Sequence, residues 1–283
     1  MVINIKKLKE TISDYKTLIS DYEEIYNNFY YESKSIDKYW SSPVANYFFS
    51  LIEKEEIASK KFYEELVLLK DVFDYLINNY KDYEEKIIID LSSKDSIINK
   101  INKYKTQDIT YLLNEIDSNF INIDRQKNIL RNINRNIEKY KESFKAFCNN
   151  IENVEDEIKQ KLSQIIIAPA EEVSPISREL GSVDELYINA DSIELIIKKL
   201  NGYCKYEDSI LDSLKTIFNE MDSNYLTDNR TEIYDIGLKI ISKYQTILNN
   251  HLNNIKLLEN SITDAKNALS KAQASIEQIG GGL

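Results

Sequence analysis

From Ile123 an apolar or aromatic residue recurs at Leu130, Ile133, Ile137, Tyr140, Phe144, Phe147, Ile151, Val154, Ile158, Leu162 and Ile165. After the first interval the steps alternate between three and four, which returns the side chain to one face of an α-helix and keeps that stripe against a partner helix. A second run repeats the spacing through Ile240, Tyr244, Ile247, His251, Ile255, Leu258, Ile262, Ala265, Leu269, Ala272 and Ile276. Between Pro43 and Ile89 the stripe is wider, with Val44, Phe48, Leu51, Phe62, Leu66, Leu69, Val72, Phe73, Leu76 and Ile77, as suits a helix with two neighbours.

Punctuation is sparse enough to exclude most other folds. The 283 residues hold 6 Gly and 3 Pro, and Gly280, Gly281 and Gly282 are at the very end. A β-sandwich or α/β fold needs more turn-formers than that. The expected class is all-α: three consecutive long αα-hairpins, about six helices, packed as a helical bundle or coiled coil.

Three short stretches mark the corners. LNEIDSNF ends at Phe120, FNEMDSNY at Tyr225 and KSIDKYW at Trp40, each placing an apolar residue, Asp, two further residues and an aromatic at the close of one helical segment. After Trp40, Ser42 can cap the next helix and Pro43 can occupy its first turn. These corners divide the chain into a hairpin over 1–89, a second over 93–166, a Pro-bearing linker over 167–181, a third hairpin over 182–278 and a tail over 279–283. Ser182 with Glu185 reads as a capping box opening the third, and Asn201-Gly202 as a break within it. A two-helix hairpin covers only one face of each helix, so it needs another. Hairpins one and two can satisfy each other, which leaves hairpin three to seek a partner. Its seam, Ile247, Ile255, Leu258, Ile262 and Leu269, is the candidate partner interface.

Hairpin one, SKSIDKYWSSPVANYFFSLIEKEEIASKKFYEELVLLKDVFDYLINNYKDYEEK, resembles the WXG (ESAT-like) proteins of type VII secretion, with Trp40 at the corner, then Ala45 and Phe48, and a Leu-rich second arm. The family's Gly two residues after Trp is Ser42 here, and Phe120 and Tyr225 replace the Trp in the other hairpins. The resemblance implies a Tyr-x-x-x-acid export signal at Tyr80 and Glu84. The same pattern also occurs at Tyr104, Tyr111, Tyr187 and Tyr203.

Other chemistry is thin. The chain has 1 His and neither a glycine-rich phosphate loop nor an HExxH motif, so no enzyme, cofactor or metal site is expected. Glu55-Glu56 and Glu64-Glu65 are adjacent and so point to different sides of a helix. His251 falls on an apolar stripe, where a packed histidine is expected. Cys148 and Cys204 read as free helical thiols. A net charge of −11 argues against nucleic acid. Lys127, Arg131, Arg135 and Lys139 form a basic row along hairpin two, read as a solvated face or a patch for an acidic partner or lipid headgroups. Tyr22, Tyr26, Tyr30 and Tyr31 read as the rim of a bundle core or as an exposed binding stripe. No run approaches the ~18 apolar residues that span a bilayer, and no signal-peptide stretch is seen. The expectation is a non-enzymatic interaction protein of a type VII pathway, cytoplasmic or secreted without a cleaved signal. Its partner would be another helical-hairpin protein or a second copy of itself, with a secretion-system component or a secreted effector as further candidates and no stable membrane insertion. A membrane-acting helical toxin component and a structural coiled coil are the alternatives.

Overall fold

The computed structural model describes residues 1–81, 83, 86–104, 109–111, 114, 124–170 and 187–280. Its main elements are α1 (Ile5–Ser35), α2 (Pro43–Tyr80), α3 (Lys94–Tyr104), α4 (Asp124–Leu162), α5 (Ala190–Asn224) and α6 (Arg230–Gly280). Five short strands sit at the helix junctions: β1 (Val2–Asn4), β2 (Trp40–Ser41), β3 (Lys86–Ile88), β4 (Tyr187–Ile188) and β5 (Tyr225–Leu226). The all-α expectation holds. Phe120, the Ser182/Glu185 box and most of the linker lie outside the described residues.

Three of the bundle helices carry the three-four repeat without a slip. In α1 the buried series is Ile5, Leu8, Ile12, Tyr15, Ile19, Tyr22, Tyr26, Phe29 and Ser33; in α2 it is Ala45, Phe48, Ile52, Glu55, Ser59, Phe62, Leu66, Leu69, Phe73, Leu76 and Tyr80. In α5 it runs Ile193, Ile197, Leu200, Cys204, Glu207, Leu211, Leu214, Phe218, Met221. Caps fix the starts: Asn4 accepts from the Lys7 amide, Ser42 from that of Ala45 and Asn189 from that of Ser192. As expected, Pro43 occupies the first turn of α2.

The pairing of hairpins differs from the sequence expectation. The α1/α2 and α5/α6 hairpins pack on each other: α1 lies beside α2 and α5, and α6 beside α5 and α2. Hairpins one and three therefore form the four-helix bundle, and hairpin two is the one left over. Only the second half of α4 reaches the bundle, where it lies against α2. The α5 helix is also unbroken through Asn201-Gly202.

Two small sheets lock the ends and set the directions. At one end β1 lies between β3 and β5, antiparallel to both, pairing Ile3 with Ile87 and with Tyr225. At the other, β2 pairs with β4, Trp40 opposite Ile188. So α1 runs from the first end to the second while α2 and α5 run back and α6 returns, and every neighbouring pair is antiparallel. At 51 residues α6 is about 77 Å long against about 46 Å for α1. Its end overhangs the Trp40 corner.

Gly237 on α6 lies directly against the ring of Phe218 on α5. A Cβ there would lie 2.5 Å from Cγ and Cδ1 of Phe218. Gly237→Ala is therefore expected to lower stability by roughly 1–3 kcal/mol despite alanine's better helix propensity. Gly202, with open space around it, is the control: Gly202→Ala should gain up to about 1 kcal/mol. Paired urea titrations decide both.

Candidate functional site

One level of the bundle breaks the apolar repeat on three of its helices at once. Glu55 and Ser59 replace apolar residues on α2, Glu207 on α5, and His251 and Asn254 on α6, while Tyr30 leans in from α1 beside its own stripe. His251 and Glu207 are wholly buried, Tyr30 is 2% exposed and Glu55 3%.

The hydrogen bonds join all four helices. His251 Nε2 lies 2.6 Å from Tyr30 Oη, and His251 Nδ1 lies 3.0 and 2.9 Å from the two oxygens of Glu207. Tyr30 Oη is 2.9 Å from Ser59 Oγ, and Tyr22 donates to the Ser59 carbonyl. Asn254 donates to Glu55 Oε2 at 2.6 Å. Phe29 stacks on the imidazole at a centroid distance of 4.1 Å, and below the layer Phe62 stacks on Tyr244 at 5.3 Å. Glu55 Oε1 is buried without a hydrogen-bond partner.

Burial opposes charge on every group here, and the partners decide which charges survive. Burial lowers the His251 pKa, but the charge and hydrogen bond of Glu207, helped by Glu55, outweigh it and the net direction is up. Burial pushes Glu55 from 4.5 up to about 7, against the pull of His251 and the Asn254 hydrogen bond and with the push of Glu207. The Cys204 thiol is driven up by burial and by Glu207, and burial raises Tyr22, Tyr30 and Tyr244. The layer is thus a buried His–Glu pair beside a carboxyl poised to hold its proton.

This arrangement has a pH signature of definite sign. Because the folded pKa of Glu55 exceeds its ordinary value, the folded chain binds the extra proton and stability falls as pH rises from 4.5 to about 7. The raised His251 pKa acts in the same direction, its contribution being complete below its ordinary value and lost as pH rises through the folded one. Glu55→Gln removes the first effect. The variant should gain about 3 kcal/mol on the wild type between pH 4.5 and 7, measured by urea unfolding at several pH values.

The two described corner aromatics have one job at opposite ends. Trp40 opens β2 and packs on Phe48; Tyr225 opens β5; they are 4% and 1% exposed. The apolar residue that begins each motif, Ile36 or Met221, is buried with them. In the second of these corners the motif's Asp222 takes a two-point hydrogen bond from Arg230, clamping α6 to α5.

Most of the remaining sequence-predicted residues sit otherwise than expected, the two cysteines excepted. Of the Tyr80/Glu84 pair, Tyr80 is wholly buried and donates to Glu155 at 2.6 Å, and Glu84 lies outside the described residues. Ile247, Ile255, Leu258 and Ile262 are buried in the chain's own bundle, because hairpin one covers the seam assigned to a partner; Leu269 alone, on the overhang, is exposed at 61%. Tyr22, Tyr26 and Tyr30 belong to the core, and Tyr31 faces out. Cys148 and Cys204 are buried free thiols.

Glu155 on α4 is the joint of the three hairpins. Its carboxylate accepts from Tyr80 at the end of α2 and from Tyr225 at the α5–α6 corner, and Asn229 donates to both its side chain and its carbonyl. Beyond this joint α4 changes character. Cys148, Ile151, Val154, Ile158 and Leu162 are buried, whereas Phe147 and Phe144 are half-buried, Ile133 is 43% exposed and Tyr140 79%. One continuous stripe is therefore covered along its second half only. A groove of about 480 Å³ opens beside Asn136, Tyr140, Phe144 and Phe147.

Glu55, Glu207, Asn254 and Glu155 escaped the sequence reading. A signal existed for the first two: the α2 stripe jumps from Leu51 to Phe62, and the gap is filled by Glu55 and Ser59 in register. Glu207 likewise stands on the α5 repeat. Nothing local distinguishes Glu155 from the other acids of α4. No protein family, curated protein or solved structure matches this chain.

Proposed function

We propose that this chain is a non-enzymatic interaction protein, a WXG-like helical-hairpin component of a type VII secretion pathway that acts by hairpin–hairpin pairing as targeting partner, chaperone or secreted component. The observation that carries the reading is the half-covered stripe of α4. Two of the three hairpins find each other within the chain, and the third ends with a row of aromatic side chains that the bundle does not reach. An amphipathic hairpin in that position gains stability only from a further helical partner. The docking element in this reading is hairpin two, in place of hairpin three. In this reading the buried polar layer holds the two paired hairpins in register. Among the described residues no helix is long and apolar enough to cross a membrane.

A photo-cross-linking residue at position 140, in the native cell, tests this. Cross-links to an identified helical-hairpin protein, or to a second copy, are expected. Cross-links confined to lipid would overturn the reading in favour of a membrane-acting component, and so would none.

A further inference from the structure

Resting on that reading, we infer that the partner of hairpin two is the hairpin two of a second copy, so that two α3/α4 arms complete a second four-helix bundle across a two-fold axis. Among the described helices of one chain, four close a core and two are left over. Two chains joined through the leftovers leave none. A two-fold pairing is also the commonest way for one patch to satisfy itself.

The geometry of α4 suits a symmetric seam. At about 100° per residue, Ile133, Ile137, Tyr140, Phe144 and Phe147 share one side of the helix. Arg131, Arg135 and Lys139 are exposed and lie across the helix from that centre, Lys139 at the rim of the groove. When two such faces meet, the basic rows point away from the seam. Like charges then stay separated and solvated, and nothing charged has to be buried. The side of α4 next to the seam is held by α3, through Lys94 to Asn149 and Glu152 and Lys141 to Asn102. The arm thus presents two helices side by side.

The area sets the affinity expected. From Asp124 to Phe147 the helix is about 36 Å long, and one to two helix diameters give a strip some 10–20 Å wide. That is roughly 350–700 Å² per partner, at the small end of specific interfaces, with bulky aromatics at its centre. A reversible dimer in the micromolar range follows.

Sedimentation equilibrium of the full chain, from about 1 to about 100 μM, reads this directly. The wild type should pass from monomer to dimer. Ile133→Glu with Tyr140→Glu should weaken the dimer at least tenfold while helix content and melting temperature stay unchanged, since both side chains are exposed already. A wild type that remains monomeric throughout overturns the inference, as does a dimer that the double variant forms equally well. If the wild type is monomeric yet the residue-140 probe captures a different helical-hairpin protein, the interaction reading stands and the self-pairing falls.

Discussion

Replacing Leu258 and Ile262 together with aspartate is expected to unfold the four-helix bundle as a whole, hairpin one included. Leu258 is wholly buried and Ile262 is 3% exposed, and the helix that carries them packs on α2 as well as on α5. Each change removes roughly 1.5–3 kcal/mol of apolar burial and places a carboxylate in a buried position, at a further cost of several kcal/mol. The sum rivals the 5–15 kcal/mol that typically separates folded from unfolded domains. Circular dichroism should show loss of most helix at room temperature, and hydrogen exchange should show α1 and α2 losing protection together with α6. If hairpin three were the free one, as the sequence pattern suggests, the same substitutions would leave residues 1–166 folded. Leu269→Asp is the contrast. At 61% exposed it should change stability by no more than about 0.5 kcal/mol.

Glu207→Ala is expected to cost about 3–5 kcal/mol, the usual result of removing one member of a buried ion pair. The imidazole of His251 would keep Tyr30 on one nitrogen and lose both carboxylate contacts on the other. Its pKa should drop, because burial then acts against Glu55 alone. The double variant Glu207→Leu, His251→Leu separates specificity from stability. Removing both partners in favour of apolar residues should recover much of the loss, as buried ion pairs contribute little net free energy. What it forfeits is register, since a polar layer in an otherwise apolar seam fixes which turns face each other. Urea unfolding at pH 7 ranks the three proteins: wild type and double variant close together, Glu207→Ala well below.

That layer also explains which part of the fold was legible. Long helices and their corners follow from the three-four repeat and from the aromatic after each Asp, because these are local features. The choice of mate is not local. The stripes of α1, α2, α4, α5 and α6 share one period, and by apolar pattern alone hairpin one fits hairpin two as well as hairpin three. Hairpin one brings Tyr30, Glu55 and Ser59 to one level, and hairpin three answers with Glu207, His251 and Asn254. The buried positions of α4, from Cys148 to Leu162, offer no such answer. Adjacency to Glu56 rules out a paired-carboxylate site but does not reveal that Glu55 stands in register on the α2 stripe, where it helps distinguish the two pairings. The burial of Tyr80 is equally non-local, since its hydroxyl is satisfied by a glutamate 75 residues away.

The pairing of hairpin one with hairpin three inside a single chain is the central claim, and zero-length carbodiimide cross-linking of a mixture of isotopically light and heavy protein tests it most directly. Glu32 lies 2.7 Å from Lys199, and Glu65 2.7 Å from Lys243. Both linkages are expected, each joining light to light or heavy to heavy peptide only. Absence of both, or linkages of mixed isotope showing that the hairpins pair between copies, would contradict the fold described here.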